Sequence, residues 1–286
     1  MRASARPKFA SVAKDRSVID VHPIERLRYV ARAGDEGPSL LVREAAGALA
    51  SFSRDPAALV TACRRLVDRQ PNAAPIWWLA ARVLGSAEPA SEAWAAAQEI
   101  EDDPTPDHLV ELLPADAMVL VFGWPELSAQ AVGRRGDLEV LVVDVFDQGS
   151  GFVRRLDRMG SNAVLVDERG VGAAAAAVDL VIIEAHGLGG SSISALPGAR
   201  AAAAVARSVG TDVWAVAGIG RVLPGRMWTT YETRLDDAAD AWDSELELVP
   251  LDLITAVIGP TGSSTPAEAL RRADCPIAPE LLKPLD

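Results

Sequence analysis

Glu184 and His186 stand two residues apart at the end of an apolar run. In an extended chain that spacing turns both side chains to one face. A carboxyl group beside an imidazole that titrates near neutral pH is an acid–base pair, which makes these two the candidate catalytic residues. The blander alternative is a hydrogen-bonded histidine that orients the loop after it. That loop brings Gly187, Gly189, Gly190, Ser191 and Ser192. Their backbone N–H groups and hydroxyls suit an anionic ligand, although the lysine of a nucleotide-binding P-loop is missing.

Parallel sheets bind ligands outside the carboxyl ends of their strands. Reading those ends adds Gly123, Trp124, Asp144, Asp147, Arg169 and Gly218 as ligand-binding candidates. Asp144, Asp147, Asp167, Glu168 and Glu184 would crowd such a mouth with negative charge, against Arg169 and Arg221 as its cations. That balance opposes a phosphorylated ligand unless the arginines engage it directly. His22 and His108 have no clustered partners, so neither a metal site nor a cofactor is expected. Gly170-x-Gly172-x-x-Ala175 has the form of a dinucleotide fingerprint but follows the third strand rather than the first.

The elements that must hold these residues fall into two textures. Leu40, Leu41, Ala45, Ala48, Leu49 and Phe52 follow Gly37-Pro38 at helical spacing. Asp55-Pro56 opens a second helix carrying Leu59, Cys63, Leu66 and Val67, and Pro75 opens a third with Trp77, Trp78, Ala81 and Leu84. Residues 89–100, with Trp94, and 105–113 give two more. Short helices with short breaks imply an antiparallel bundle, with the tryptophans in its core or at an interface. From Ala115, apolar runs at 117–122, 140–145, 163–166, 180–183 and 213–217 alternate with helical segments at 126–133, 151–159, 172–177 and 199–209. Strands that apolar are buried on both faces, and the alternation predicts a doubly wound, mostly parallel sheet. An acidic helix is expected over 231–242, and strands over 246–249 and 254–258 at the sheet edge. The expected organisation is a disordered tail over 1–22, a helical bundle domain over 23–114 and a Rossmann-like α/β domain over 115–286.

A net charge of −12 argues against a nucleic-acid backbone as partner. No apolar run is long enough for a membrane span. Cys63 and Cys275, the only cysteines, can form neither a disulfide framework nor a CxxC metal site, which fits a reducing, cytoplasmic compartment.

Two segments carry a family resemblance: VDLVIIEAHGLGGSSISALPGARAAAAVARSVGTDVWAVAG and LELVPLDLITAVIGPTGSSTPAEALRR. They resemble the central and closing motifs of the initiation factor 2B alpha/beta/delta family, and GPSLLVREAAGALASF is faintly similar to its N-terminal helix. The resemblance implies a helical domain on a Rossmann-like domain, a homodimer through the latter, and a phosphorylated small molecule as the ligand class. The isomerases of that family act on methylthioribose-1-phosphate and ribose-1,5-bisphosphate. They are expected to use a thiol after the first strand and the aspartate of a Gly-Ala-Asp motif after the fourth. Here Gly123 or Trp124 stands at the first position, and Glu184-Ala185-His186 at the second. The resemblance therefore implies a non-catalytic scaffold or a sensor of a sugar phosphate or nucleotide. The alternative is an isomerase-like enzyme rebuilt on Glu184 and His186.

Overall fold

The computed structural model describes residues 37–235, 240 and 242–283. The tail expected over 1–22 lies outside them. The described residues open with five helices: α1 (Pro38–Ala50), α2 (Pro56–Arg69), α3 (Ala74–Gly85), α4 (Pro89–Glu101) and α5 (Thr105–Leu112). Each carries a proline in its first two positions. There the fixed φ suits a helix and the missing N–H has no partner to lose. Asp55 caps α2 by accepting from the Ala58 N–H at 3.0 Å. α3 is apolar on nearly every side, and Trp77 and Trp78 are fully buried at the centre of the layer. Trp94 on α4 is half exposed.

Strand and helix then alternate: β1 (Met118–Phe122), α6 (Glu126–Val132), β2 (Glu139–Val143), α7 (Gly149–Met159), β3 (Asn162–Val166), α8 (Val171–Ala177) and β4 (Leu180–Glu184). A hairpin, β5 (Gly187–Gly189) and β6 (Ser192–Ala195), precedes α9 (Ala199–Val209), β7 (Asp212–Val216) and α10 (Gly225–Leu235). β8 (Glu247–Pro250), β9 (Ala256–Gly259), β10 (Gly262–Ser264) and α11 (Pro266–Arg271) follow. Left-handed Gly160 and Gly210, with φ of 83° and 85°, end α7 and α9.

The main sheet runs β10-β9-β7-β4-β1-β2-β3, parallel except for β10. Leaving out β10, this is the doubly wound order in which the connections reverse direction between β1 and β4. α5, α6 and α7 cover one face through Leu109, Leu127, Phe152 and Leu156, while α8 and α9 cover the other through alanines. Among the described residues no helix is long and apolar enough to cross a membrane.

Three expectations are corrected. The helix placed at 231–242 runs instead over Gly225–Leu235, because the buried face of Met227, Trp228 and Tyr231 begins earlier; Trp242 is 82% exposed, and residues 236–239 and 241 lie outside those described. The strand expected at 246–249 does not extend the main sheet. It joins β5 and β6 in a separate antiparallel sheet, order β5-β6-β8. The glycine-rich loop after Glu184 is the hairpin of that sheet. The core of the helical layer also takes in α10 and, much later in the chain, Cys275, Ala278 and Leu281.

Candidate functional site

At the reversal between β1 and β4 the strand ends face the helical layer across a cleft of about 1220 Å³. Phe122, Trp124, Ile183, Glu184 and His186 come from the sheet side, and Leu41 with residues 69–73 from the helices. Gln148, Arg154, Leu196, Arg221, Glu245 and Leu246 also line the wall.

The floor is a charge network. Glu184 ends β4 and aims its carboxylate at the first turn of α6. It accepts from the N–H groups of Glu126 at 3.0 Å, Leu127 at 2.9 Å and Ser128 at 2.9 Å, and from the Ser128 hydroxyl at 3.0 Å. A helix N-terminus has free N–H donors and a positive dipole end, and Glu184 supplies the anion from within the chain. The guanidinium of Arg221 lies 3.1 Å from Glu184 and 3.3 Å from Glu126, and donates to the Ala185 carbonyl at 2.6 Å. Arg221 is only 4% exposed. Burying it without these partners would be costly, so the two glutamates are what allow it there. Glu126 also accepts from the Ser39 N–H at 3.1 Å, which ties the start of α1 into the same network.

His186 lines the cleft beside this network. Its backbone N–H donates to the Ser194 carbonyl at 2.8 Å, and its imidazole has no hydrogen-bond partner among the described residues. Burial pulls its pKa down to about 4, helped by the positive Arg221 and opposed by Glu184. The ring is therefore neutral at physiological pH.

The other sequence candidates divide. Trp124 and Asp147 line the cleft. Trp124 is 45% exposed, with its ring 5.8 Å from that of Phe152, so it walls the cleft without closing it. Gly123, with φ of 56°, makes the turn after β1, but Leu196 and Gln148 stand against it. Asp144 sits just outside, accepting from the Gly149 N–H at 2.9 Å to start α7. Arg169 is far out on the surface, pairing with Asp167 at 2.8 Å. Gly187, Gly189, Gly190, Ser191 and Ser192 belong to the β5–β6 hairpin and do not line the cleft. Tyr231 packs on Gly187 and the Trp228 ring covers Gly189 and Gly190, so bulky side chains fill the space expected for an anion. Gly218 is likewise covered by Asp103, whose carboxylate accepts from the Ile219 N–H at 2.7 Å.

The sequence reading overlooked Arg69, Gln70, Asn72, Gln148, Arg154 and Glu245 as wall residues. Those from the helical layer meet the strand ends only through the tertiary fold, and no local spacing announces them. Neither thiol reaches the cleft: Cys63 lies in the helical core and Cys275 at its edge, and burial pushes both up to about 12.

Fold and cleft together define a two-layer protein: a helical layer set over the strand ends of a doubly wound α/β sheet. Solved structures share that arrangement. Translation initiation factor eIF-2B of Pyrococcus horikoshii OT3 superposes with a TM-score of 0.74 at 13% identity, over 87% of this chain and 98% of that one. eIF2B beta from Chaetomium thermophilum gives a TM-score of 0.68 at 17% identity, over 90% and 92%. 5-Methylthioribose 1-phosphate isomerase from Pyrococcus horikoshii OT3 gives a TM-score of 0.60 at 15% identity, over 87% of each. The chain has the fold of the eIF2B subunits and of this isomerase. No family model and no curated protein sequence matches it.

Proposed function

We propose that the chain is a non-catalytic relative of these proteins that works as a dimeric scaffold and senses a small sugar phosphate or nucleotide in the cleft. In this reading the boundary between a helical and an α/β domain falls near residue 114, with α10 and residues 275–281 packed back on the helical side and the ligand between the two. The observation that carries it is the engagement of Glu184. Its oxygens accept from three backbone N–H groups and a hydroxyl and face Arg221, which leaves it poorly placed to shuttle protons. Phosphate recognition falls to Arg69 and Arg154 at the rim, with Trp124 as a flat surface for a sugar or base.

One observation favours the alternative reading, a rebuilt isomerase-like enzyme: the neutral, unpartnered imidazole of His186 on the cleft wall. One experiment separates the two. Ribose 5-phosphate, AMP and 5-methylthioribose 1-phosphate are tested by thermal shift, and every binder is then followed by NMR for conversion. The sensor reading expects a stabilising ligand, worth about 2.7 kcal/mol at a hundred times its Kd, that stays unchanged and is lost in the Arg69→Ala/Arg154→Ala variant. Conversion that disappears in His186→Ala would establish the enzyme instead.

A further inference from the structure

Two large aromatic rings stand uncovered at the mouth of the cleft: Trp124 is 45% exposed and Phe146 is 53% exposed. β1 and β2 pair in parallel with Phe122 opposite Val143, so the segments leading to Trp124 and Phe146 leave neighbouring strands at the same height. Such strands lie about 4.8 Å apart. α7 backs the Trp124 ring. The Phe152 ring lies 5.8 Å from it at an interplanar angle of 32°, and a Cβ at Gly151 would sit 3.1 Å from it. The rest of the ring borders the cleft as a fixed, flat wall.

Phe146 is held there under strain. The Gln148 N–H donates to the Val145 carbonyl at 3.1 Å, closing a turn whose central residues, Phe146 and Asp147, have φ of 53° and 60°. Positive φ at both positions is the pattern of a type I′ turn, which favours Gly, Asn or Asp. Asp147 suits it. A bulky phenylalanine does not, because its Cβ crowds the following carbonyl in the left-handed region. Its exposed ring adds unfavourable contact with water. Strain of this kind collects at ligand sites. From the strained turn and the backed tryptophan we infer that Trp124 and Phe146 are specificity-determining residues: they hold a planar heteroaromatic ring, the base of a nucleotide, and so select nucleotides over plain sugar phosphates. The inference rests on the ligand part of the proposed function and narrows it.

Charge narrows the ring further. Two aromatic faces would also suit a quaternary ammonium. Arg154 opposes that cation, since its guanidinium comes within 3.9 Å of the point where a Gly151 Cβ would touch Trp124. A neutral base meets no such repulsion and stacks through either face. Asp147 borders the cleft beside Phe146, and an ionised carboxylate accepts hydrogen bonds without donating any. A base with an exocyclic amino group, such as adenine, supplies the donor.

The test is calorimetric titration of the full chain with AMP, adenosine, ribose 5-phosphate and choline. AMP should bind at least about tenfold more tightly than ribose 5-phosphate. Adenosine, which has no phosphate, should bind and should still do so in the Arg69→Ala/Arg154→Ala variant. Phe146→Asn relaxes the turn, so it should melt above wild type, yet weaken AMP and adenosine at least about tenfold and leave ribose 5-phosphate unchanged. A purely structural Phe146 would not raise stability and lower affinity together. Trp124→Ala should repeat the loss, and Trp124→Phe should restore most of it. Ribose 5-phosphate as tight as AMP, choline tighter than adenosine, or AMP unaffected by Phe146→Asn would overturn the inference without touching the sugar-phosphate reading. Binding of none of these, nor of 5-methylthioribose 1-phosphate, would overturn both.

Discussion

Glu184 is the residue on which the chemistry turns, because its neighbours ask an anion of it. Glu184→Gln keeps the shape but leaves the buried Arg221 facing Glu126 alone, and turns an amide N–H₂ toward N–H donors. Breaking a buried ion pair from one side costs about 3–5 kcal/mol, so a loss of that order is expected in urea unfolding. A change below about 1 kcal/mol would mean the network is far weaker than its geometry implies. His186 makes a pH-dependent contribution whose sign is fixed by its depressed pKa. An unfolded imidazole titrates near 6.5, whereas the folded one titrates at about 4. Between those values the unfolded chain takes up a proton that the folded chain refuses. Stability from this group is therefore complete above about pH 6.5 and falls as the pH drops toward 4. His186→Gln should flatten the profile across that window relative to wild type. An NMR titration of the His186 ring centred near 6.5 would show it to be solvated and remove the effect. Both residues stood out in the sequence by type and spacing, but their division of labour did not. Whether a carboxyl beside a histidine is a base or a helix cap depends on where α6 starts, which local pattern does not encode.

Among the elements, the β5–β6 hairpin shows best why motif reading misled. Gly-Leu-Gly-Gly-Ser-Ser has the composition of an anion loop, and the glycines are needed for another reason. A Cβ at Gly189 would lie 2.6 Å from the Trp228 ring, so the hairpin depends on hydrogen side chains to let α10 approach. Gly189→Ala should cost about 1–3 kcal/mol by overpacking, read by chemical denaturation. Gly136→Ala, where a Cβ meets open space, is the control and should change stability by less than about 1 kcal/mol. A tolerated Gly189→Ala would mean that Trp228 can retreat. Most helices and the parallel main-sheet strands, by contrast, were legible to within about two residues, whereas α10 was expected too late in the chain and β10 and α11 were not expected at all. Apolar five-residue runs and prolines at helix starts are local signals, and the structure obeys them. β8 was legible as a strand but not as a member of the smaller sheet, since sheet membership is decided by the hairpin it meets.

For the whole molecule, the alternation of strands and helices announced the doubly wound sheet. What remained invisible was how the layers share their interior, because that depends on contacts between residues far apart in the chain. Tyr231 of α10 hydrogen-bonds Ser194 at 2.7 Å and the Asn72 carbonyl at 3.1 Å, joining the small sheet to the helical layer. Leu281, fully buried, seals the bottom of the same layer near α2. Its place in the chain has a consequence for biosynthesis. The ribosome makes α1–α4 well before the turn that covers them. A nascent chain arrested before Leu281 would carry an uncovered apolar surface, and chaperones that hold such surfaces should retain it until that turn is released.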